Sequence, residues 1–141
     1  MKKQLLAVSM MICGLFSAQE LTVEYKRMVT YDDMTQFSSL VNKENINTCF
    51  QSEKNSYSLL GLAIKLNSKQ IFQKLMDEKA DLEKACDGKT PLMFAAKYGN
   101  LEFAKKLLEN GAKKETKTEK GYQALDYAKK YEKADLVKLL E

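Results

Sequence analysis

DGKTPLMFAAKYGNLEFAKKLLENGA, running from Asp87 to Ala112, reads as a helix start, a short helix, a tight reversal, a second helix and a stop. Thr90 carries a hydroxyl suited to capping a helix, and Pro91 suits the first helical position, where a missing N–H costs nothing. Ala95 and Ala96 are small enough to let neighbouring helices approach closely. Gly99 can end the first helix in a left-handed conformation that other residues resist. Asn100 then opens a second helix in which Leu101, Ala104, Leu107 and Leu108 fall on one face at helical spacing. Gly111 repeats the stop, and the polar run behind it reads as a loop to another unit. Taken alone, these features also describe an ordinary helical hairpin, so the copies elsewhere in the chain decide the matter.

Working backwards, Ser58-Leu59-Leu60 stands 32 residues before Thr90-Pro91-Leu92, keeping the hydroxyl and losing the proline. Ala63-Ile64 follows, then Asn67 at the reversal, a residue that tolerates the left-handed conformation better than most. Ile71, Phe72, Leu75 and Met76 line the second helix, which Lys79-Ala80-Asp81 closes. Working forwards, Gln123-Ala124-Leu125 begins a copy 33 residues after Thr90, with Ala128 in the place of Ala95. Glu132 sits where Gly99 was, a departure that predicts a different or strained reversal. Leu136, Val137 and Leu140 finish its buried face, while Lys133, Asp135 and Lys138 suit a solvent-facing end cap. A worn first copy has Tyr25, Met28, Val29 and Tyr31 in the places of Leu92, Ala95, Ala96 and Tyr98. Asp32 and Asp33 fall at its reversal, and Met34, Phe37, Leu40 and Val41 on its second helix. The alanines have grown larger there, which a terminal repeat with one neighbour tolerates. From Asn42 to Asn55 the chain is polar and irregular, broken only by Cys49 and Phe50.

The T-P-L-x-x-A-A start, the Gly99-Asn100 turn, the paired leucines and the Gly111-Ala112 exit resemble the ankyrin-repeat family. The resemblance implies an all-α ankyrin-repeat solenoid of about four helix-turn-helix repeats joined by hairpin-like loops. The expected organisation is a leader over residues 1–18 and a repeat domain over 19–141. Its units fall near 19–53 (a degenerate cap), 54–86, 87–117 and 118–141 (a C-terminal cap). Each unit buries little alone, so stacking has to supply most of the stability.

The leader reading rests on MKKQLLAVSMMICGLFSA, with a basic start, an apolar run from Leu5 to Phe16, and small residues at Ser17-Ala18. That is the layout of a secretory signal peptide, with an apolar run too short to span a bilayer comfortably. It resembles bacterial export signals, which would place the mature protein in a periplasm or outside the cell. A buried N-terminal helix and a lipoprotein anchored through Cys13 remain the alternatives, although Ile12 is bulkier than lipidation prefers. The whole chain has 141 residues with 23 basic and 19 acidic groups. Loss of Lys2 and Lys3 leaves 21 basic groups, too slight an excess to argue for nucleic acid on bulk electrostatics.

Catalytic chemistry finds little support. Histidine is absent from the sequence, which removes the commonest metal ligand and the usual general base. Cys49 and Cys86 lack C-x-x-C spacing. Asp87-Gly88-Lys89-Thr90 shares a G-K-T ending with phosphate loops but lacks the upstream glycine and strand, and cap-and-turn chemistry explains it better. The expectation is therefore a non-enzyme with no cofactor and no metal. An oxidising compartment permits a bridge between the two mature cysteines. Equivalent loop atoms of stacked repeats lie on the order of 10 Å apart, whereas a disulfide needs Cα atoms within about 7 Å. The preferred reading is two free or partly buried thiols.

The resemblance also places a partner-gripping groove along the loops and first helices. Lys65-Leu66, Lys97-Tyr98 and Lys130-Tyr131 recur there, a row of lysines beside apolar or aromatic residues, with Tyr57, Lys89 and Tyr122 near the loop ends of the same face. Tyrosine gives large contact area at low entropic cost, and lysine favours an acidic partner. Solvation of the surface by lysine, and packing of Tyr98 on its neighbour, would explain the same pattern. The expected function is an exported protein-binding module, monomeric, with a protein partner and no nucleic acid or stable membrane span. An immunity-type inhibitor of a bacterial toxin is the alternative, with an enzyme, a ligand carrier or a self-associating envelope component as rivals from other classes.

Overall fold

Eight short helices, arranged as four consecutive pairs, make up most of residues 19–141, the part of the chain described by the computed structural model. The expected leader, with its lipidation alternative at Cys13, lies outside the described residues. The pairs are α1 (Val23–Thr30) with α2 (Met34–Leu40), α3 (Leu59–Leu66) with α4 (Lys69–Asp77), α5 (Pro91–Tyr98) with α6 (Leu101–Glu109), and α7 (Ala124–Lys130) with α8 (Ala134–Leu140).

Local chemistry sets the ends of these helices. The Ser58 hydroxyl accepts from the Gly61 N–H at 3.1 Å, and the Thr90 hydroxyl accepts from the Met93 N–H at 3.4 Å. At Gln123, which lacks a hydroxyl, the Asp126 carboxylate accepts from the backbone N–H instead, at 2.7 Å. Every first helix stops the same way. Asp32, Asn67, Gly99 and Glu132 all adopt the left-handed conformation, at φ 53, 56, 76 and 54°. The next N–H then reaches back to a carbonyl of the finished helix: Asp33 to Met28, Ser68 to Ala63, Asn100 to Ala95 and Lys133 to Ala128, at 2.8 to 3.0 Å. This is the helix-ending bond expected of a left-handed cap. Only one of the four positions is glycine, so Glu132 does hold the strained reversal that its sequence position predicts.

First helices α1, α3, α5 and α7 lie side by side in that order, and more closely than the second helices do. The stack therefore curves with the first helices on its inner side. Close approach requires small residues: Ala63, Ala95, Ala96 and Ala128 are fully buried. A Cβ built on Gly61 would lie 3.0 Å from the Phe94 ring, so the bare backbone of α3 makes room for that side chain. Between second helices, Phe72 and Phe103 stack with ring centres 3.9 Å apart and planes within 5°. Truncating either to alanine would cost about 3–5 kcal/mol.

Two features depart from the sequence reading. The segment read as irregular holds a hairpin, β2 (Phe50–Ser52) with β3 (Asn55–Tyr57), and β1 (Gln19–Glu20) joins β2 in parallel to make a three-stranded sheet. Phe50 lies opposite Tyr57, and its ring sits 4.7 Å from that of Tyr25. The fold is thus mostly helical, with a small sheet over its N-terminal end.

The second departure is covalent: Cys49 and Cys86 are joined by a disulfide, with Cα atoms 5.6 Å apart. The preference for free thiols assumed equivalent positions in adjacent repeats, and these two are not equivalent. With Ser58 aligned on Thr90, the counterpart of Cys86 is Lys54. Cys49 lies five residues earlier, where the longer first loop leans onto the second. Nearby, the Asn47 side chain accepts from the Asp81 N–H at 2.8 Å and draws the same two loops together.

Candidate functional site

Lys65, Lys97 and Lys130 all fall in the last turns of first helices, where the carbonyl ends of the helix favour positive charge. Each ammonium rests against a tyrosine ring. Lys65 Nζ lies 4.6 Å from the centre of Tyr57, Lys97 Nζ 5.4 Å from Tyr98 and 5.7 Å from Tyr131, and Lys130 Nζ 5.8 Å from Tyr131. The tyrosines are linked in turn, since the hydroxyls of Tyr57 and Tyr98 lie 3.1 Å apart. Lysines and tyrosines therefore form one continuous chain of contacts across three helix pairs, in the order Lys65, Tyr57, Tyr98, Lys97, Tyr131 and Lys130. Cation–π contacts of this kind are worth about 0.5–1 kcal/mol each at exposed sites, which biases the lysines toward the tyrosine rings and offsets part of the entropy of ordering them.

Lys65 donates to the Tyr57 oxygen at 3.2 Å, and either phenol can donate in the hydrogen bond between Tyr57 and Tyr98. Burial would raise the Tyr57 pKa, but its hydrogen bonds with Tyr98 and Lys65, with the charges of Lys65 and Lys97, outweigh it and lower the pKa below 10.0. Tyr98 moves the other way: burial first, and then its hydrogen bond with Tyr57, push its phenol well above the usual range.

Tyr57 itself is not where the sequence reading placed it. Expected as a surface contact near a loop end, it is 2% exposed. The residue belongs to β3 and turns its ring under α5, 5.1 Å from Phe94, so its role is to hold Lys65 and Tyr98 in position. Leu66, Tyr122 and Tyr131 are exposed, Lys97 and Tyr98 half-buried.

Beside the row, at the C-terminal end of the stack, lies an open groove of about 940 Å³. Lys89, Tyr122, Lys130 and Tyr131, four of the expected residues, line it together with Asp87, Lys120, Asp126 and Tyr127. Tyr127 escaped the sequence reading although it stands one helical turn before Tyr131, a spacing that puts both on one face. Lys89 pairs with Asp87 at 3.1 Å on the tip of a two-residue turn. Both central residues of that turn, Asp87 and Gly88, are left-handed, and Cys86 and Lys89 close it by exchanging backbone hydrogen bonds at 3.1 Å. A smaller hollow of about 410 Å³, bordered by Lys65, Tyr98 and Asn100, continues the face toward the N-terminus.

A different set of polar residues ties repeat to repeat. Asn67 meets Asn100 at 3.2 Å, Lys69 meets Glu102 at 3.5 Å, and Gln73 meets Lys106 at 3.3 Å. These rungs occupy nearly equivalent positions of adjacent second helices and account for surface charges that the inner face does not use.

A family model for ankyrin repeats, in three copies, matches residues 28–118 and again 60–141. The chain belongs to the ankyrin-repeat family. A comparison with curated proteins gives no match. Ankyrin repeats are a protein-binding architecture and, as a rule, a non-catalytic one. The Cys49–Cys86 bridge of this ankyrin protein points to an oxidising compartment, since cytosolic thiols are kept reduced. Among the described residues no helix is long and apolar enough to cross a membrane.

Proposed function

We propose that residues 19–141 form an exported protein-binding module whose inner face grips an acidic surface of a partner protein. The observation that carries this reading is the lysine–tyrosine row formed by Lys65, Lys97, Tyr98, Lys130 and Tyr131, joined at Lys65 through the buried Tyr57, with an open groove at its C-terminal end. Ammonium groups already biased toward the tyrosine rings lose less side-chain freedom when a carboxylate docks on them. The tyrosine faces between them, with Leu66 and Tyr122, offer apolar area for the centre of an interface. Lys89 adds a further positive group from the loop side. Export, to a periplasm or beyond the cell, is supported by the signal-like leader of residues 1–18 and by the disulfide.

The test is charge reversal of the row, Lys65→Glu with Lys97→Glu and Lys130→Glu. Wild-type and variant proteins, matched in circular dichroism, are used to capture species from the envelope of the source cells. Species retained by the wild type and lost from the variant support the reading, and their capture should weaken as salt is raised. If the variant retains the same species equally well, the row is surface solvation and nothing more.

A further inference from the structure

The disulfide joins two loops that meet beside the binding face, and the second of them carries part of that face. Cys86 is the first residue of the turn that presents Asp87 and Lys89 to the 940 Å³ groove. Among the described residues, the hydrogen bonds of Cys86, Asp87 and Lys89 stay within the turn, between Cys86 and Lys89 and from the Lys89 ammonium to Asp87. The base of this loop has ties of its own, from Asp81 to Asn47 and from Glu83 to Lys113 and Thr116, so what the bridge to Cys49 adds is a tie at the tip itself, residues 86–89. The helices that follow the two bridged loops have other support: α3 and α5 are buried along most of their length and pack directly on one another.

The two sulfur-bearing residues also differ in access. Cys86 is 2% exposed, while Cys49 is only half-buried. An attacking thiolate therefore meets the Cys49 sulfur first, which leaves Cys86 as the departing thiolate.

We propose that the Cys49–Cys86 bridge is a redox lock on the Cys86–Lys89 turn at the edge of the binding face, opened by a dithiol reductant. This rests on the inner face being the binding face, as argued above. In the reaction, one thiolate of the dithiol bonds to Cys49 Sγ as the Cys49–Cys86 bond breaks, and the Cys86 thiolate takes up a proton. The second thiol of the reductant then attacks the mixed disulfide and frees Cys49. Two electrons and two protons pass to the protein, and the dithiol departs as a disulfide. The reduced turn loses its fixed place beside the groove, and Lys89 no longer holds its position in the groove wall it shares with Lys130 and Tyr131.

Amide hydrogen exchange on the full chain tests the lock without any partner. The oxidised protein is compared with protein reduced by excess dithiothreitol, with protein re-oxidised afterwards, and with the Cys49→Ser/Cys86→Ser variant. Reduction and the double substitution should each speed exchange over residues 83–90 by about tenfold or more, with α3 and α5 keeping their protection. Re-oxidation should reverse the change. Unchanged exchange at 83–90 would overturn the lock. So would loss of protection throughout α3 and α5, because the bridge would then hold the fold and not the turn. Neither result depends on the charge-reversed lysines, so the binding reading stands or falls separately.

Discussion

The Asp32 carboxylate accepts the backbone N–H of Ile71 at 2.8 Å, and that of Gln70 at 2.9 Å, so the reversal of the first helix pair caps the second helix of the next pair. Ser68, at the N-cap position of α4, makes no cap bond of its own and instead donates its hydroxyl to the Val29 carbonyl. Each pair therefore supplies a group that the other lacks. The arrangement makes the first pair part of the stack despite its worn sequence.

Removing this cap should be measurable. Asp32→Ala is expected to cost about 1 kcal/mol, the usual loss for a helix N-cap, read as a lower urea midpoint with an unchanged slope. Asp32→Asn keeps an acceptor and tolerates the left-handed backbone, so it should lose less. Equal losses in the two variants would mean that the carboxylate contributes through charge and not through the hydrogen bonds.

The four reversals share one conformation with four different residues, which allows a second comparison. Glu132 is left-handed at φ 54° where α5 ends in glycine. Glu132→Gly should relieve a backbone cost and raise stability by about 0.5–1 kcal/mol, after allowance for the freer unfolded chain. Gly99→Ala should do the reverse. Its added methyl meets only the flexible side chain of Lys133, at 3.0 Å, so the loss of about 1–2 kcal/mol comes from the φ of +76°. Thermal melts of the two single variants check both signs.

What the sequence made legible follows from where the determinants lie. Caps, left-handed stops and small packing residues are local chemistry, so Thr90, Ser58, Gly99 and Asn67 announce their helix ends directly. Asp32 tolerates the left-handed conformation much as Asn does, whereas Glu132 holds it because stacking overrides its own preference, and only its alignment with Gly99 marks the place. Leucine spacing puts the apolar face of α6 through Leu101 and Leu108, which are half-buried, whereas Phe103 is 1% exposed through its stack on Phe72, a contact between repeats that spacing within one helix does not show. The lysine row was visible because it repeats with the fold. Tyr57 was misplaced because a strand turns it inward, and the hairpin of Phe50–Ser52 with Asn55–Tyr57 is too short to show a period. The disulfide joins non-equivalent positions, so reasoning from repeat to repeat could not find it.

The tyrosine chain has its own signature in alkali. Tyr57 should lose its proton ahead of an ordinary phenol, while Tyr98, Tyr25 and Tyr127, all raised chiefly by burial, should lag. A phenol raised in the folded state keeps its proton after the unfolded chain has lost its own. Its contribution is complete below pH 10.0 and drains away as pH climbs toward the folded pKa. Three raised groups against one lowered group predict net destabilisation above pH 10.0, lessened by the opposite contribution of Tyr57. Phenolate absorbance should show an early step that is missing from Tyr57→Phe. An early step that survives this substitution would place the acidic phenol elsewhere.

The C-terminal pair gives the most severe test of the stack. Helix α7 packs along α5 and α8 against α6, burying Ala124, Ala128, Leu136 and Leu140. Lys114, in the preceding loop, donates to the Leu139 carbonyl at 3.2 Å and so holds the end of α8. Deleting residues 118–141 would strip this cover from α5 and α6, whose residues Ala95, Ala96 and Leu107 have little or no exposure in the intact chain. Stacked repeats gain most of their stability from interfaces with neighbours, and a new end without polar residues is poorly soluble. The truncated chain should aggregate or melt without a cooperative transition, measured by light scattering and calorimetry. A soluble 19–117 fragment that melts cooperatively would show instead that the first three pairs form a complete folding unit, with the last merely appended.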